Sequence, residues 1–117
     1  MARTSTKNVK GPLSPGAAEL IARRFQALSD PTRLRILDHL RTHEEASVGE
    51  LTETLGTSQQ NVSKHLGALL AEGFVARRKR GTSSLYRIAD AGVHELCDSV
   101  CAGIEAQLAE LEATLSG

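Results

Sequence analysis

Apolar residues begin to recur at helical spacing near residue 16, where Ile21, Phe25 and Leu28 predict a first helix over about 16–28. Asp30 followed by Pro31 predicts the start of a second. The carboxylate can accept from free N–H groups, and proline suits a first turn where its missing N–H would have no partner. Leu34, Leu37 and Leu40 are expected to face the core from that helix. Ser47 and Glu50 stand at the spacing of a capping box and open a short third helix, ended by Gly56 after about two turns. Thr57 and Gln60 repeat the spacing and open a fourth, which runs to Gly73 with Val62, Leu66, Leu69 and Leu70 as its apolar face. Two capped helices joined across a tight glycine turn make a helix-turn-helix.

Beyond Gly73, Phe74 to Arg80 and Ser84 to Ile88 have strand-like composition and flank the turn Gly81-Thr82-Ser83, which predicts a hairpin in the place of a wing. From about Ala91 to Leu115, Val93, Leu96, Val100, Ile104, Leu108 and Leu111 step by three or four, so one long amphipathic helix closes the chain. The fold class is therefore mainly α with a small β-hairpin, a winged helix-turn-helix. Helices two to four already supply a core, so the long apolar stripe is expected to lie against a second copy of the chain. Residues 1–15 hold Arg3, Lys7 and Lys10 with Pro12 and Pro15, show no periodicity, and are expected to form a flexible basic arm ahead of one domain over 16–117.

Composition narrows this picture. A chain of 117 residues fits one globular domain, and its aromatic residues are Phe25, Phe74 and Tyr86, so the core must be aliphatic. No stretch approaches the roughly 20 apolar residues of a membrane span, and the N-terminus has no apolar signal core, so a soluble, cytoplasmic protein without membrane partners is expected. The two cysteines are too few for a disulfide framework.

The formal net charge is zero, 14 basic against 14 acidic residues, so any nucleic-acid signal must be local. It is. Residues 77–87 hold Arg77, Arg78, Lys79, Arg80 and Arg87 with no acid, whereas residues 88–117 hold six acids and no Lys or Arg. The basic cluster falls on the wing, where it can reach phosphates or a minor groove. A basic edge strand can also be a device against edge pairing, so the cluster alone decides little. The fourth helix adds Ser58, Gln59, Gln60, Ser63 and Lys64 opposite its leucines. Glutamine can bond an adenine edge twice, serine a base or a phosphate, and lysine a phosphate or guanine. Reading face and basic wing in consecutive order together point to double-stranded DNA.

In this order the elements resemble the arsenic-sensor/metallothionein-repressor (ArsR/SmtB) family of bacterial winged-helix repressors, over about residues 18–112. The resemblance is carried by Ala27-Leu28-Ser29-Asp30-Pro31-Thr32-Arg33-Leu34-Arg35-Ile36-Leu37, by Ser58-Gln59-Gln60-Asn61-Val62-Ser63-Lys64-His65-Leu66, and by Gly73-Phe74-Val75 leading to Arg80-Gly81 and Leu85-Tyr86-Arg87-Ile88. It implies a homodimer through the first and last helices, recognition helices in successive major grooves of a near-palindromic operator, and repression relieved by an inducer. It places DNA reading at Ser58, Gln59, Gln60, Ser63 and Lys64, and a wing contact at Arg80-Gly81. Two of the family's sensor patterns are broken here. Ser47-Val48-Gly49-Glu50-Leu51 lacks the thiols of a Cys-Val-Cys-Asp-Leu pattern. Asp90 matches the first ligand of the last-helix zinc pattern, but Gly92, Gly103 and Ala106 fall where its other ligands would stand.

Cys97 and Cys101 remain. Four apart on the last helix, they place their Cβ atoms about 5–6 Å apart on one face. Two thiolates so placed suit a soft inducer such as arsenite, antimonite, cadmium, lead or mercury, with His94 as a candidate nitrogen donor, Asp98 or Glu95 as an oxygen donor, and any third thiolate from the other subunit. Oxidation or persulfidation of the same pair is the alternative trigger. Cysteine is also often buried for packing alone, and a winged helix can serve as a protein-interaction module. His39 and His43, with Glu44 and Glu45, read as a solvated helix end. No nucleophile–base–acid set and no phosphate-cradling glycine loop is present, which argues against an enzyme.

Overall fold

The computed structural model describes residues 11–116, so Arg3, Lys7 and Lys10 of the expected arm lie outside the described residues. Within them the order is α1 (Pro15–Leu28), α2 (Pro31–His43), β1 (Ala46–Ser47), α3 (Val48–Leu55), α4 (Gln59–Ala71), β2 (Val75–Arg80), β3 (Ser83–Ile88) and α5 (Ala91–Ser116).

Local chemistry sets the boundaries. The Ser14 hydroxyl accepts from the Ala17 N–H at 3.1 Å with Pro15 in the first turn, so α1 begins inside the segment expected to be an arm. Asp30 caps α2 through the Arg33 N–H at 3.0 Å. The capping box of α3 is reciprocal: Glu50 N–H donates to Ser47 Oγ at 3.1 Å, and Ser47 N–H to Glu50 Oε1 at 2.8 Å. At α4 the expected Thr57–Gln60 box gives way to a cap one residue later. Ser58 Oγ accepts from the Asn61 N–H at 3.0 Å, and Thr57 Oγ1 accepts from Asn61 Nδ2 at 3.1 Å. Two adjacent hydroxyls compete for one helix end, and Ser58 takes the cap position.

The hairpin turn is tighter than the sequence predicts. Arg80 pairs with Ser83, leaving Gly81-Thr82 as a two-residue loop, and Gly81 supplies the positive φ of 63° that the first position of such a turn needs. A further strand was not legible from pattern: β1 pairs antiparallel with β3, Ala46 with Tyr86 and Ser47 with Leu85, giving the sheet order β1-β3-β2.

The core joins Ile36, Leu37 and Leu40 of α2 to Leu51 and Leu55 of α3, Val62, Leu66 and Leu69 of α4, Phe74, and Val93 and Cys97 of α5. Leu34, expected to face inward, is 46% exposed. Ile36 takes the inward place, and Leu34 then lies more than a quarter-turn from the centre of the buried face. No residue of α1 is buried, and α5 buries only Val93 and Cys97. No helix among the described residues is long and apolar enough to cross a membrane.

Candidate nucleic-acid interface and thiol pair

The inward face of α4 is Val62, Leu66 and Leu69, which leaves Ser58, Gln59, Gln60, Ser63 and Lys64 exposed on the opposite side. His65 belongs to the buried set, at 6% exposure, and was not singled out by sequence. Its Nδ1 accepts from Arg33 Nε at 3.1 Å, and Arg33 also donates to the Ala27 carbonyl at 2.9 Å. One side chain of α2 thus holds the recognition helix and the end of α1 together. The signal was present, since residue 65 is one turn beyond Val62 and next to Leu66 on the apolar face.

The wing shares that exposed side. Gln59, Gly49 and the Ser47 cap line one polar trough with Thr82, Ser83 and Ser84. Arg77, Arg78, Lys79, Arg80 and Gly81 are all exposed. They are not equivalent. Arg78 makes two bonds to Glu45, Nε to Oε2 at 2.7 Å and NH2 to Oε1 at 2.9 Å, and this guanidinium holds the Glu45 carboxyl below its usual range. Among the described residues Arg77, Lys79, Arg80 and Arg87 form no ion pair, which leaves four free cations on the wing.

Asp90 is committed within the chain. It caps α5 through the Gly92 N–H at 2.8 Å and pairs with Arg24 NH2 at 3.1 Å. Arg24 also lies over the Phe74 ring, 4.6 Å from its centre, and so ties α1 to the start of α5.

Cys97 is buried and Cys101 half-buried, both as free thiols. Burial, and next the neighbouring Cys101, push the Cys97 thiol above its ordinary value, with Arg41 opposing. Arg41 of α2 bridges Asp38 on its own helix and Asp98 of α5, the latter at 2.8 Å. Asp98 directly follows Cys97. His94 Nδ1 lies 3.4 Å from Asp98 Oδ2. Among the described residues no three His, Cys, Asp or Glu side chains of one protomer are grouped to hold a metal ion, so His94 is not gathered with the two thiols. The pair offers two soft donors, a fit by donor type to a thiophilic ion, with no third donor grouped beside them among the described residues.

A recognition helix and a wing with free cations, carried on one face of a small α-rich core, define a winged helix-turn-helix DNA-binding regulator. A family model described as a helix-turn-helix domain matches residues 28–78. The chain is 41% identical over 75 residues to the probable mercury resistance operon repressor of Streptomyces lividans, covering 64% of this chain and 59% of that one, less than two thirds of the relative's length. It is 33% identical to the homodimeric winged helix-turn-helix DNA-binding domain Mb0332 of Mycobacterium bovis, a possible ArsR-family regulator, with TM-score 0.70 over 86% of this chain and 94% of that one. The AntR antimony-specific transcriptional repressor is similar in structure at TM-score 0.73 and 26% identity, over 85% and 90% of the two chains. The chain belongs to the ArsR/SmtB family of transcriptional regulators, a family of DNA-binding proteins and not of enzymes.

Proposed function

We propose that the chain is a homodimeric transcriptional repressor that leaves its operator when a soft metal or metalloid ion (arsenite or antimonite, cadmium, lead or mercury) is held by Cys97 and Cys101. The observation that carries this reading is the position of Cys97. It is buried where α5 meets the core, with Cys101 one turn further on and Asp98 between them bridged to α2 by Arg41. The similarity to a probable mercury resistance operon repressor and to an antimony-specific repressor supports the ion class. Cys97 and Cys101 would hold the ion as thiolates, and a third thiolate would come from the partner copy. The ion supplies a soft Lewis acid that favours both deprotonated sulfurs. Drawing Cys97 towards Cys101 takes a side chain from the core cluster and shifts Asp98 against Arg41. The last helix then moves relative to α2, and with it the pair of recognition helices.

Ser58, Gln59, Gln60, Ser63 and Lys64 read the groove, with Arg77, Arg80 and Gly81 at the wing. Arg78 already gives Nε and NH2 to Glu45, so its charge is less available to a phosphate. Fluorescence anisotropy with the DNA upstream of the chain's own gene, using anaerobic reduced protein, tests the whole reading. The expected result is tight binding that falls on addition of one of these ions, and does not fall in Cys97→Ser or Cys101→Ser. Release by a persulfide donor and by no ion assigns the pair to sulfur chemistry, and release that survives the double substitution overturns the thiol site.

A further inference from the structure

The C-terminal turn of α2 carries a second set of donor atoms, of a different kind from the thiols. His39 and His43 stand four apart, and their rings are stacked with centroids 4.0 Å apart and planes within 6°. His43 is exposed and His39 half-buried. We propose that His39 and His43 form a two-nitrogen site for a borderline divalent cation such as zinc, nickel or copper(II).

Hydrogen bonding prepares His43 for this role. Its Nδ1 lies 3.1 Å from the His39 carbonyl, which can only accept, so this contact favours the tautomer with the proton on Nδ1. The Thr42 hydroxyl, 2.9 Å from the same nitrogen, lies within donating distance of the carbonyls of residues 38 and 39 and can therefore accept there too. In that tautomer the lone pair is on Nε2, the nitrogen turned away from the carbonyl. A histidine that donates one nitrogen to a carbonyl and offers the other is the arrangement that orients metal-binding imidazoles. Two nitrogens about 2.0–2.1 Å from one tetrahedral ion stand roughly 3.3 Å apart, so the two rings, already neighbours on an accessible turn, rotate out of their stack for both lone pairs to meet one ion.

The surroundings favour a cation without competing for it. Asp38 and Glu50 both place negative charge near His39. Each carboxylate is already committed, Asp38 to Arg41 and Glu50 to the Ser47 N–H, so both contribute field rather than ligands and water completes the coordination. A chelate here would also brace a helix end that ends tightly. Glu44 holds a φ of 65°, and the Glu45 N–H turns straight back to the His43 carbonyl at 2.6 Å. The site needs neither thiol and does not rest on the repressor reading.

Calorimetric titration of the full, untagged Cys97→Ser/Cys101→Ser chain with Zn2+ and with Ni2+ tests the site free of sulfur. The expected result is one ion per protomer, bound at least tenfold more weakly in His43→Ala and in His39→Gln and unchanged in His94→Gln. Should the doubly substituted chain not fold, Ni2+ added to the unmodified reduced protein is expected to broaden the ring-proton resonances of His39 and His43 before those of His65 and His94. Affinity that survives loss of either ring, or broadening that begins at His94, overturns the proposal.

Discussion

On the wing, neighbouring arginines of the same charge have different tasks. Arg78 is held by both oxygens of Glu45, whereas Arg77, Lys79 and Arg80 have no carboxylate partner among the described residues. A free cation placed against a phosphate displaces a counterion and adds about 0.9 to the slope of log affinity against log salt. Arg80→Ala is therefore expected to lower that slope by roughly one for each protomer that loses a contact, whereas Arg78→Ala lowers it by much less. Anisotropy titrations across a salt series check both, and equal slopes for the two variants would count against the distinction. The sequence showed the basic run but not this division. Glu45 lies 33 residues from Arg78, and only the pairing of β1 with β3 brings them together.

At Cys97 the folded chain holds the thiol proton more tightly than the unfolded chain does, since burial disfavours the thiolate. The sign follows. The stability gained from a neutral buried thiol is complete below the ordinary value of 9.0 and is lost as pH rises through the raised value of the folded state. The difference in urea midpoint between reduced protein and Cys97→Ala is therefore expected to stay level between about pH 7 and 8 and to narrow above 9.0. Iodoacetamide should label Cys101 well before Cys97, because only Cys101 is partly open to solvent.

At the scale of the element, α1 and α5 are the two helices whose apolar faces find too little to cover them. Leu20 and Phe25 of α1 are 52% and 57% exposed, and along α5 Val100, Ile104, Leu108 and Leu111 are each about half exposed. The 26 residues of α5 span about 39 Å, far beyond the two positions it buries in its own protomer. In the proposed homodimer a second copy would cover both helices and so account for this surface. Leu108→Glu with Leu111→Glu is then expected to turn a dimer into a monomer in sedimentation equilibrium while leaving the far-ultraviolet spectrum of the winged core in place. A variant that remains dimeric would assign the contact elsewhere. Helical periodicity made α5 legible from the sequence, and capping chemistry placed the start of α2 and both ends of α3 to the residue. What periodicity could not give was depth. Leu34 and Ile36 look alike in a pattern of apolar letters, and a two-residue strand such as β1 carries no period at all, because its partner lies about forty residues away.

At the scale of the whole molecule, charge is sorted: basic on the wing, acidic along α5, zero in sum. One bridge from the helix that carries the thiols towards the recognition helix crosses from α5 to α2, where Arg41 joins Asp98 to Asp38. From α2 the connection continues through Arg33 to His65 on α4. Because the hydrogen bonds of Arg41 go to Asp38 and Asp98 and not to a thiol or to the exposed side of α4, Arg41→Met should separate coupling from binding. Operator affinity of the ion-free protein and uptake of the inducing ion are both expected to remain within about threefold of the original, while the ratio of affinities with and without ion falls on the order of tenfold, the scale of a typical coupling between two sites. Measured affinities that fall together, ion and DNA alike, would mean that Arg41 merely holds the fold. A preserved ratio would mean that the thiols act through the dimer interface alone, with α2 as a bystander.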